Sequence, residues 1–422
     1  MTIAPNPTER TTAPVFPGPD LAAFERARSV VAEVVQPTPL EHSRILEQQI
    51  GSPVWLKCEN LQRTGSYKIR GAYHRMSRLS DEEKARGVVA ASAGNHAQGV
   101  ALAARELGIA ATIFMPIGVA LPKLQATRGY GAEVVLRGHT VEEPLRAAAE
   151  FAESTGAVFI HPFDHHDVVA GQGTVGLEIL DEVPDLDTLV VPIGGGGLIS
   201  GVASAVKQKA ATLGRTVRIV GVQAANAPAY AVSMQAGALT EVAVTPTIAD
   251  GIAVSRPGAL NFAIVQEAVD EVVTVSDDDT ARALLMLLER AKQVVEPAGA
   301  VSVAALLTGQ VRDAGTTVAI LSGGNIDPLM MNRVISHGLA STERYLKLRI
   351  PLPDRPGQLA RTAQIVAEAN ANVVEVLHTR HGNGLQISQV ELELHIETRG
   401  PDHAVEVLEH LRAAGYEPRM DF

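Results

Sequence analysis

From Leu21 onward the chain alternates two kinds of hydrophobic pattern. Short, almost unbroken apolar runs stand between longer stretches whose apolar positions recur every three or four residues. The first kind suits strands buried on both faces, the second amphipathic helices. Strands are read at Val54–Lys57, Val88–Ser92, Ala111–Met115, Ala132–Arg137, Ala157–Ile160, Thr188–Ile193, Val217–Gln223, Val272–Val275 and Thr317–Leu321. Helices are read at Leu21–Val35, Asn95–Leu107, Leu198–Ala210 and Asp278–Val295, with two more centred near Gln125 and Ala148. Pro37 and Pro39 close the first helix in an extended turn. This βαβα order predicts an α/β region of mostly parallel sheets covered by helices, long enough for two sheets.

After Ser341–Tyr345 the order changes. Strand Leu346–Leu352, the turn Asp354-Arg355-Pro356-Gly357, helix Gln358–Ala369, strand Val373–Arg380, strand Leu385–Glu397, helix Asp402–Ala414 and a short last strand follow. That is βαββαβ, a ferredoxin-like unit with its own helix–sheet core, placed at residues 346–422. At the other end, residues 1–20 hold five prolines. They read as a disordered leader that buries too little surface to offset ordering.

Composition mainly excludes. With 46% hydrophobic and 20% charged residues among 422, an ordinary core is available, and only 4% aromatics favours layered α/β over an aromatic-rich sandwich. A net charge of −11 without any basic run argues against nucleic acid and against an anionic membrane. The single cysteine, Cys58, rules out an internal disulfide and fits a reducing cytoplasm. There is neither an apolar run of membrane-spanning length nor a signal-peptide core.

Chemistry concentrates at four junctions. Gly194-Gly195-Gly196-Gly197-Leu198 joins a buried strand to a helix. One glycine would serve a tight turn; four let successive N–H groups converge at a helix N-terminus, which suits a phosphate. It carries neither the Gly-Lys-Ser/Thr ending of a nucleotide loop nor the third glycine of a dinucleotide fingerprint. Lys68, just before a helix in Thr64-Gly65-Ser66-Tyr67-Lys68-Ile69-Arg70-Gly71-Ala72, is either a solvated charge or a buried amine of lowered pKa able to form a Schiff base. Ser92-Ala93-Gly94-Asn95-His96 opens a helix, where Asn95 is a cap or part of a carboxylate site. Ser322-Gly323-Gly324-Asn325 follows another buried strand. Two further segments read as structural: the His161–Asp167 run lacks convergent metal-ligand spacing, and Glu296 before Pro297 is explained by the helix dipole.

In chain order these segments, with Gly171-Gln172-Gly173-Thr174 and Ala249-Asp250-Gly251-Ile252-Ala253-Val254, resemble the fold type II pyridoxal-phosphate enzymes across about residues 36–340. Among these the chain looks most like the threonine dehydratases (threonine ammonia-lyases). The resemblance implies a catalytic region over residues 21–340, built of two α/β subdomains, the smaller at about 60–160 inserted in the larger. It implies pyridoxal 5'-phosphate bound covalently at Lys68, with Asn95 on its 3-hydroxyl, Gly194, Gly195, Gly196, Gly197 and Leu198 on its phosphate, and Ser322 at its pyridine nitrogen. Ser92, Ala93, Asn95 and His96 would hold the substrate carboxylate. Lys68 would take the α-proton, and loss of the β-hydroxyl would yield 2-oxobutyrate and ammonia from L-threonine, with some activity on L-serine. A serine rather than a carboxylate at the ring nitrogen favours elimination over transamination.

Related activities differ at particular positions. Ile69 stands where cysteine and threonine synthases usually carry Asp. Ala93 stands where serine racemases have a second, base-forming Ser, and Gln223 and Ala229 where those racemases place acidic metal ligands. No metal-ligating side chains, and so no divalent metal, are therefore expected, a monovalent cation on backbone carbonyls staying open, and a serine racemase or serine-selective dehydratase is the alternative. The last unit resembles an ACT domain, through Asp354–Ala360 and Ala369–Val373. That implies a branched-chain amino acid effector, isoleucine foremost as the end product of a synthesis that begins with threonine deamination. Gly357, Gln358, Leu359 and Asn372 would bind it, in a homo-oligomer, dimer or tetramer, of the cytoplasm.

Overall fold

The computed structural model describes residues 17–140, 142–380 and 388–420. Most of the expected leader lies outside them. Within them, the Asp20 side chain accepts the Ala23 N–H at 2.7 Å and caps the first helix, Leu21–Val31. The chain divides into two compact units at Asp327/Pro328, ahead of residue 340, because helix Pro328–Ser341 groups with the later unit.

Among the described residues the first unit contains ten strands: β1 (Leu40–His42), β2 (Val54–Lys57), β3 (Val88–Ala91), β4 (Ala111–Met115), β5 (Glu133–Leu136), β6 (Val158–Phe159), β7 (Thr188–Pro192), β8 (Arg218–Ala224), β9 (Glu271–Val275) and β10 (Thr317–Ile320). One sheet has the order β1-β2-β10-β7-β8-β9, parallel except for β1, which runs antiparallel to β2. The sequence pattern did not resolve β1, which follows directly on the proline turn. A second, fully parallel sheet of order β5-β4-β3-β6 is drawn wholly from residues 88–159, between β2 and β7 in the chain. All five residues of β7 are buried, as a strand covered on both faces requires. The core around it joins β7, β8 and β10 to helices His166–Glu182, Gly197–Thr212 and Ala259–Ala268. Helices Lys68–Ser77 and Asn95–Leu107 bury Ile69, Met76, Val100 and Leu102 against the smaller sheet.

Helices Lys68–Ser77 and His166–Glu182 cross closely because glycines face the crossing. A Cβ on Gly71 would stand 2.5 Å from the Gln172 amide nitrogen, and one on Gly171 2.6 Å from the Arg70 carbonyl oxygen. Arg70 lies fully buried at the same crossing. It pairs with Glu59 at 2.8 Å and Glu178 at 2.6 Å, and donates to Thr174 at 3.1 Å. This guanidinium ties the Lys68 helix to the segment after β2.

One expected helix is broken. Asp277–Met286 starts in a Ser276/Asp279 capping box, then widens into a π turn over Leu287–Ala291 and stops at Lys292, whose φ is +58°. Residues 293–296 become a loop, and the Gln293 side chain accepts the Asn60 amide N–H at 2.9 Å.

The second unit contains β11 (Tyr345–Pro353), β12 (Asn372–Thr379), β13 (Gln389–Glu397) and β14 (Arg419–Met420), with helices Gln358–Glu368 and Pro401–Ala413. Its sheet, β12-β13-β11-β14, is antiparallel throughout, the ferredoxin-like arrangement. Residues 385–387 of the strand expected from Leu385 lie outside the described residues. Along β11, Leu346, Leu348, Ile350 and Leu352 alternate into the core. Edge strand β12 leaves Val374, Val376 and Leu377 exposed.

Candidate active site

Strand β10 lies between β2 and β7, so the segment after it lies between those that follow its neighbours. In parallel sheets the carboxyl ends of the strands gather ligands. Here β2 leads to Lys68, β10 to Ser322–Asn325 and β7 to Gly194–Gly197, while β3 of the smaller sheet leads to Ser92–Asn95. Segments 64–68 and 322–325 are zipped together. Tyr67 N–H donates to the Ser322 carbonyl at 3.2 Å, Gly324 N–H to the Gly65 carbonyl at 2.8 Å, and the Asn325 amide to the Thr64 carbonyl at 2.7 Å. Gly65, with φ +70°, leaves the room that Asn325 occupies. Lys68 and the buried Ser322 are thereby brought into one site.

The Lys68 amine donates to the Pro162 carbonyl at 3.0 Å and lies 5.2 Å from the centre of the Tyr67 ring. Desolvation lowers its pKa from 10.5 to about 8, against an upward pull from Glu296. An amine so shifted is deprotonated in useful proportion near neutrality. The Asn95–Leu107 helix reaches this region because Gly99 permits it: a Cβ there would stand 3.1 Å from the Lys68 carbonyl carbon.

The glycine run forms a cradle with no space for side chains. A Cβ on Gly195 would collide with the Phe163 ring, one on Gly196 with the Tyr230 hydroxyl, and one on Gly194 would stand 2.9 Å from Ile252 Cα. Gly196 also has φ +96°, which disfavours other residues. The Gly195 carbonyl accepts from both the Tyr230 hydroxyl and the Asn261 amide, each at 3.1 Å. In a trans peptide the next N–H points the opposite way, so these two residues turn the Gly196 N–H outward. Among the described residues the first N–H of this junction to find an acceptor is that of Ser200, on Gly196. The preceding donors remain open to an anion.

Asn95 begins its helix rather than capping it. Its amide donates to Glu296 at 2.5 Å, and its carbonyl oxygen accepts from Asn325 at 2.7 Å. Glu296 is therefore part of the site, which corrects the dipole explanation. It makes no side-chain cap bond, is 7% exposed, and burial raises its pKa to about 7. A glutamate where Ser or Asp usually caps is the signal that could have identified it. The Ser92 hydroxyl accepts the Gly94 N–H at 3.1 Å, and Ser92 and Ala93 are partly exposed. The His96 ring instead turns inward to the Ile160 carbonyl at 2.8 Å, and burial lowers its pKa to about 3. Only its backbone N–H remains at the open helix end.

The His161–Asp167 run belongs to this site through its backbone and its turn geometry. His161 accepts the Asp164 N–H at 2.8 Å, Pro162 receives Lys68, and the Phe163 ring backs the cradle. Asp164 accepts the Ala259 N–H at 3.0 Å, and the Phe163 carbonyl accepts the Asn261 amide at 3.1 Å. Pro162, Phe163, Tyr230 and Asn261 carry no sequence signal of their own; only the fold assembles them. Among the described residues no cluster of three or more metal-ligating side chains occurs. The Gln223 side chain is spent on the Ala231 N–H at 3.0 Å. In the second unit Gly357 has φ +88° at the helix start, the Gln358 side chain accepts the Tyr416 hydroxyl at 3.3 Å, and Leu359 and Asn372 are exposed.

Residues 31–323 match the family described as pyridoxal-phosphate dependent enzyme, and residues 348–415 match the ACT domain. An L-threonine ammonia-lyase of Geobacter sulfurreducens is 49% identical over 383 residues, 90% of this chain and 94% of that one. Among solved structures, the processed form of threonine deaminase isoform 2 from Solanum lycopersicum superposes with a TM-score of 0.71 at 37% identity, over 76% of this chain and 94% of that one. Maize serine racemase superposes with a TM-score of 0.71 at 36% identity, over 77% and 99%.

Proposed function

We infer that this chain, which belongs to the pyridoxal-phosphate-dependent enzymes and carries an ACT domain, deaminates L-threonine to 2-oxobutyrate and ammonia. Its residues fit the cofactor. The cradle admits no Cβ, keeps its N–H groups free for a phosphate, and lies beside a loop whose carbonyl holds a lysine amine of lowered pKa. Pyridoxal phosphate, when bound, supplies an electron-withdrawing ring that stabilises negative charge at the α-carbon of an amino acid.

The remaining roles fall to the chain. Gly194–Leu198 hold the phosphate, Asn95 the ring oxygen, and Ser322 the ring nitrogen without contributing a negative charge. Ser92, Ala93 and Asn95, at an open helix end, hold the substrate carboxylate. Lys68 anchors the cofactor, and its amine takes the α-proton of threonine onto Nζ. The β-hydroxyl departs as water, taking up one proton for the one that Nζ removes, and hydrolysis of the released enamine to 2-oxobutyrate and ammonia completes the reaction.

The observation that carries this reading is the joining of segments 64–68 and 322–325, together with the Lys68 amine on the Pro162 carbonyl and the neighbouring Phe163 ring against the glycine cradle. The test is keto-acid formation by the purified protein: 2-oxobutyrate from L-threonine should exceed pyruvate from L-serine. Absence of both products would end the reading. The likeness to maize serine racemase supports a second activity, against which Ala93 offers no hydroxyl for a proton on the opposite face. Chiral analysis of recovered serine should accordingly find little D-serine.

The second unit serves regulation. Exposed Val374, Val376 and Leu377 on edge strand β12 support pairing with another copy, with Gly357, Gln358, Leu359 and Asn372 at the effector site. A branched-chain amino acid, isoleucine first, is the effector, and a homo-oligomer is the working form. Among the described residues no helix is long and apolar enough to cross a membrane. We assign the protein to the cytoplasm on its single, buried Cys58.

A further inference from the structure

Asn95 is a short side chain in the first turn of a helix, only partly buried, yet its amide is held at both ends. One amide hydrogen goes to Glu296 at 2.5 Å, and its oxygen accepts from Asn325 at 2.7 Å, while Asn325 is itself anchored on the Thr64 carbonyl at 2.7 Å. These three bonds fix which way the carboxamide faces, since a flipped amide would oppose donor to donor at Asn325. Glu296 is built for this contact. Pro297 starts the helix behind it, its own side chain caps nothing, and its N–H is held by the Gly323 carbonyl at 3.0 Å. Gly323 is the residue that lets the carboxyl through, because a Cβ there would collide with Glu296 Oε1.

We propose that Glu296 is a positioning residue of the cofactor site: with Asn325 it clamps the Asn95 carboxamide, so that the second amide hydrogen of Asn95 is presented to the ring oxygen of pyridoxal phosphate. The inference rests on the placement of the cofactor ring at Asn95 proposed above. The groups around the carboxyl agree with a clamp of low charge. Burial raises Glu296 most, and Asp250 adds to that, while the Asn95 hydrogen bond, Lys123 and Lys68 oppose it; Tyr67 also faces it. A carboxyl protonated up to about pH 7 accepts from Asn95 without setting a full negative charge beside an electron-rich ring oxygen.

The test is the affinity of the apoprotein for pyridoxal phosphate, followed by cofactor absorbance, with the thermal midpoint of each apo form as a check on folding. Asn95→Ala, Glu296→Ala and Asn325→Ala should each raise Kd about tenfold, because an unfixed donor loses most of its hydrogen bond. Glu296→Gln keeps the accepting oxygen and should stay within about threefold of wild type. If Asn95→Ala weakens binding while Glu296→Ala and Asn325→Ala remain within about twofold of wild type, the clamp is wrong although the ring placement stands. If Asn95→Ala leaves Kd unchanged, the ring placement itself fails and the clamp with it. Should Glu296→Ala not fold, Asn325→Ala and Glu296→Gln decide: wild-type binding by the first, or loss in the second, overturns the proposal.

Discussion

Strands β7 and β12 bury their side chains in opposite ways. All five residues of β7 are buried, whereas every residue of β12 except the half-buried Val373 is exposed. The first strand lies inside a parallel sheet and ends in a cradle that its own unit completes, with Phe163, Tyr230 and Asn261 filling the space behind the glycines. The second lies at the edge of an antiparallel sheet and presents valines and a leucine to whatever joins it. A site finished from within should be sensitive to any internal change. An exposed edge, if it serves assembly as proposed, should tolerate substitution in its basal behaviour and respond only where assembly or an effector is measured.

The contrast is sharpest at buried charge. Arg70→Met should destabilise the first unit by about 3–5 kcal/mol, because Glu59, fully buried, is left without its partner. Denaturant unfolding measures this; a loss below about 1 kcal/mol would show the network to be dispensable. Gly195→Ala should cost about 1–3 kcal/mol through its collision with Phe163 and should weaken pyridoxal-phosphate binding in cofactor titrations. A variant that binds cofactor normally would mean that the cradle is not the phosphate site.

On the other side, Val376→Asp should change stability by no more than about 0.5 kcal/mol and leave threonine turnover intact. It should shift the assembly state by light scattering or blunt the response to isoleucine. If it abolishes turnover, the two regions are not separable in the way described. A further test is a pH dependence. The unfolded chain binds more protons at Lys68 than the folded apoprotein between about pH 8 and 10.5, so this residue makes stability rise with pH across that window. Comparing wild type with Lys68→Met isolates the term, and parallel curves would show that the amine is not desolvated.

The same contrast governs what could be read in advance. Unbroken apolar runs announced β7 and its neighbours, alternation announced β11, and glycines at strand ends announced the cradle, because each is a local consequence of burial or close approach. β1 escaped because three residues after a proline turn carry no period, and the Asp277–Met286 helix looked longer because a π turn keeps the apolar spacing approximately helical. At the site, Lys68, Ser322 and the glycines were legible as motifs. Phe163, Tyr230 and Asn261 were not, since they serve through contacts set only by tertiary approach. Glu296 was visible but misassigned, because a carboxylate before a helix has a sufficient local explanation until Asn95 is seen against it.

The central claim is that the Lys68 amine anchors pyridoxal phosphate and moves the α-proton of threonine. It is tested most directly by measuring 2-oxobutyrate formation from L-threonine by wild type and by Lys68→Ala, both saturated with the cofactor. The account predicts product from the wild type, together with the visible absorbance of a lysine-bound cofactor, and neither from the variant. Sustained 2-oxobutyrate formation by Lys68→Ala would contradict it.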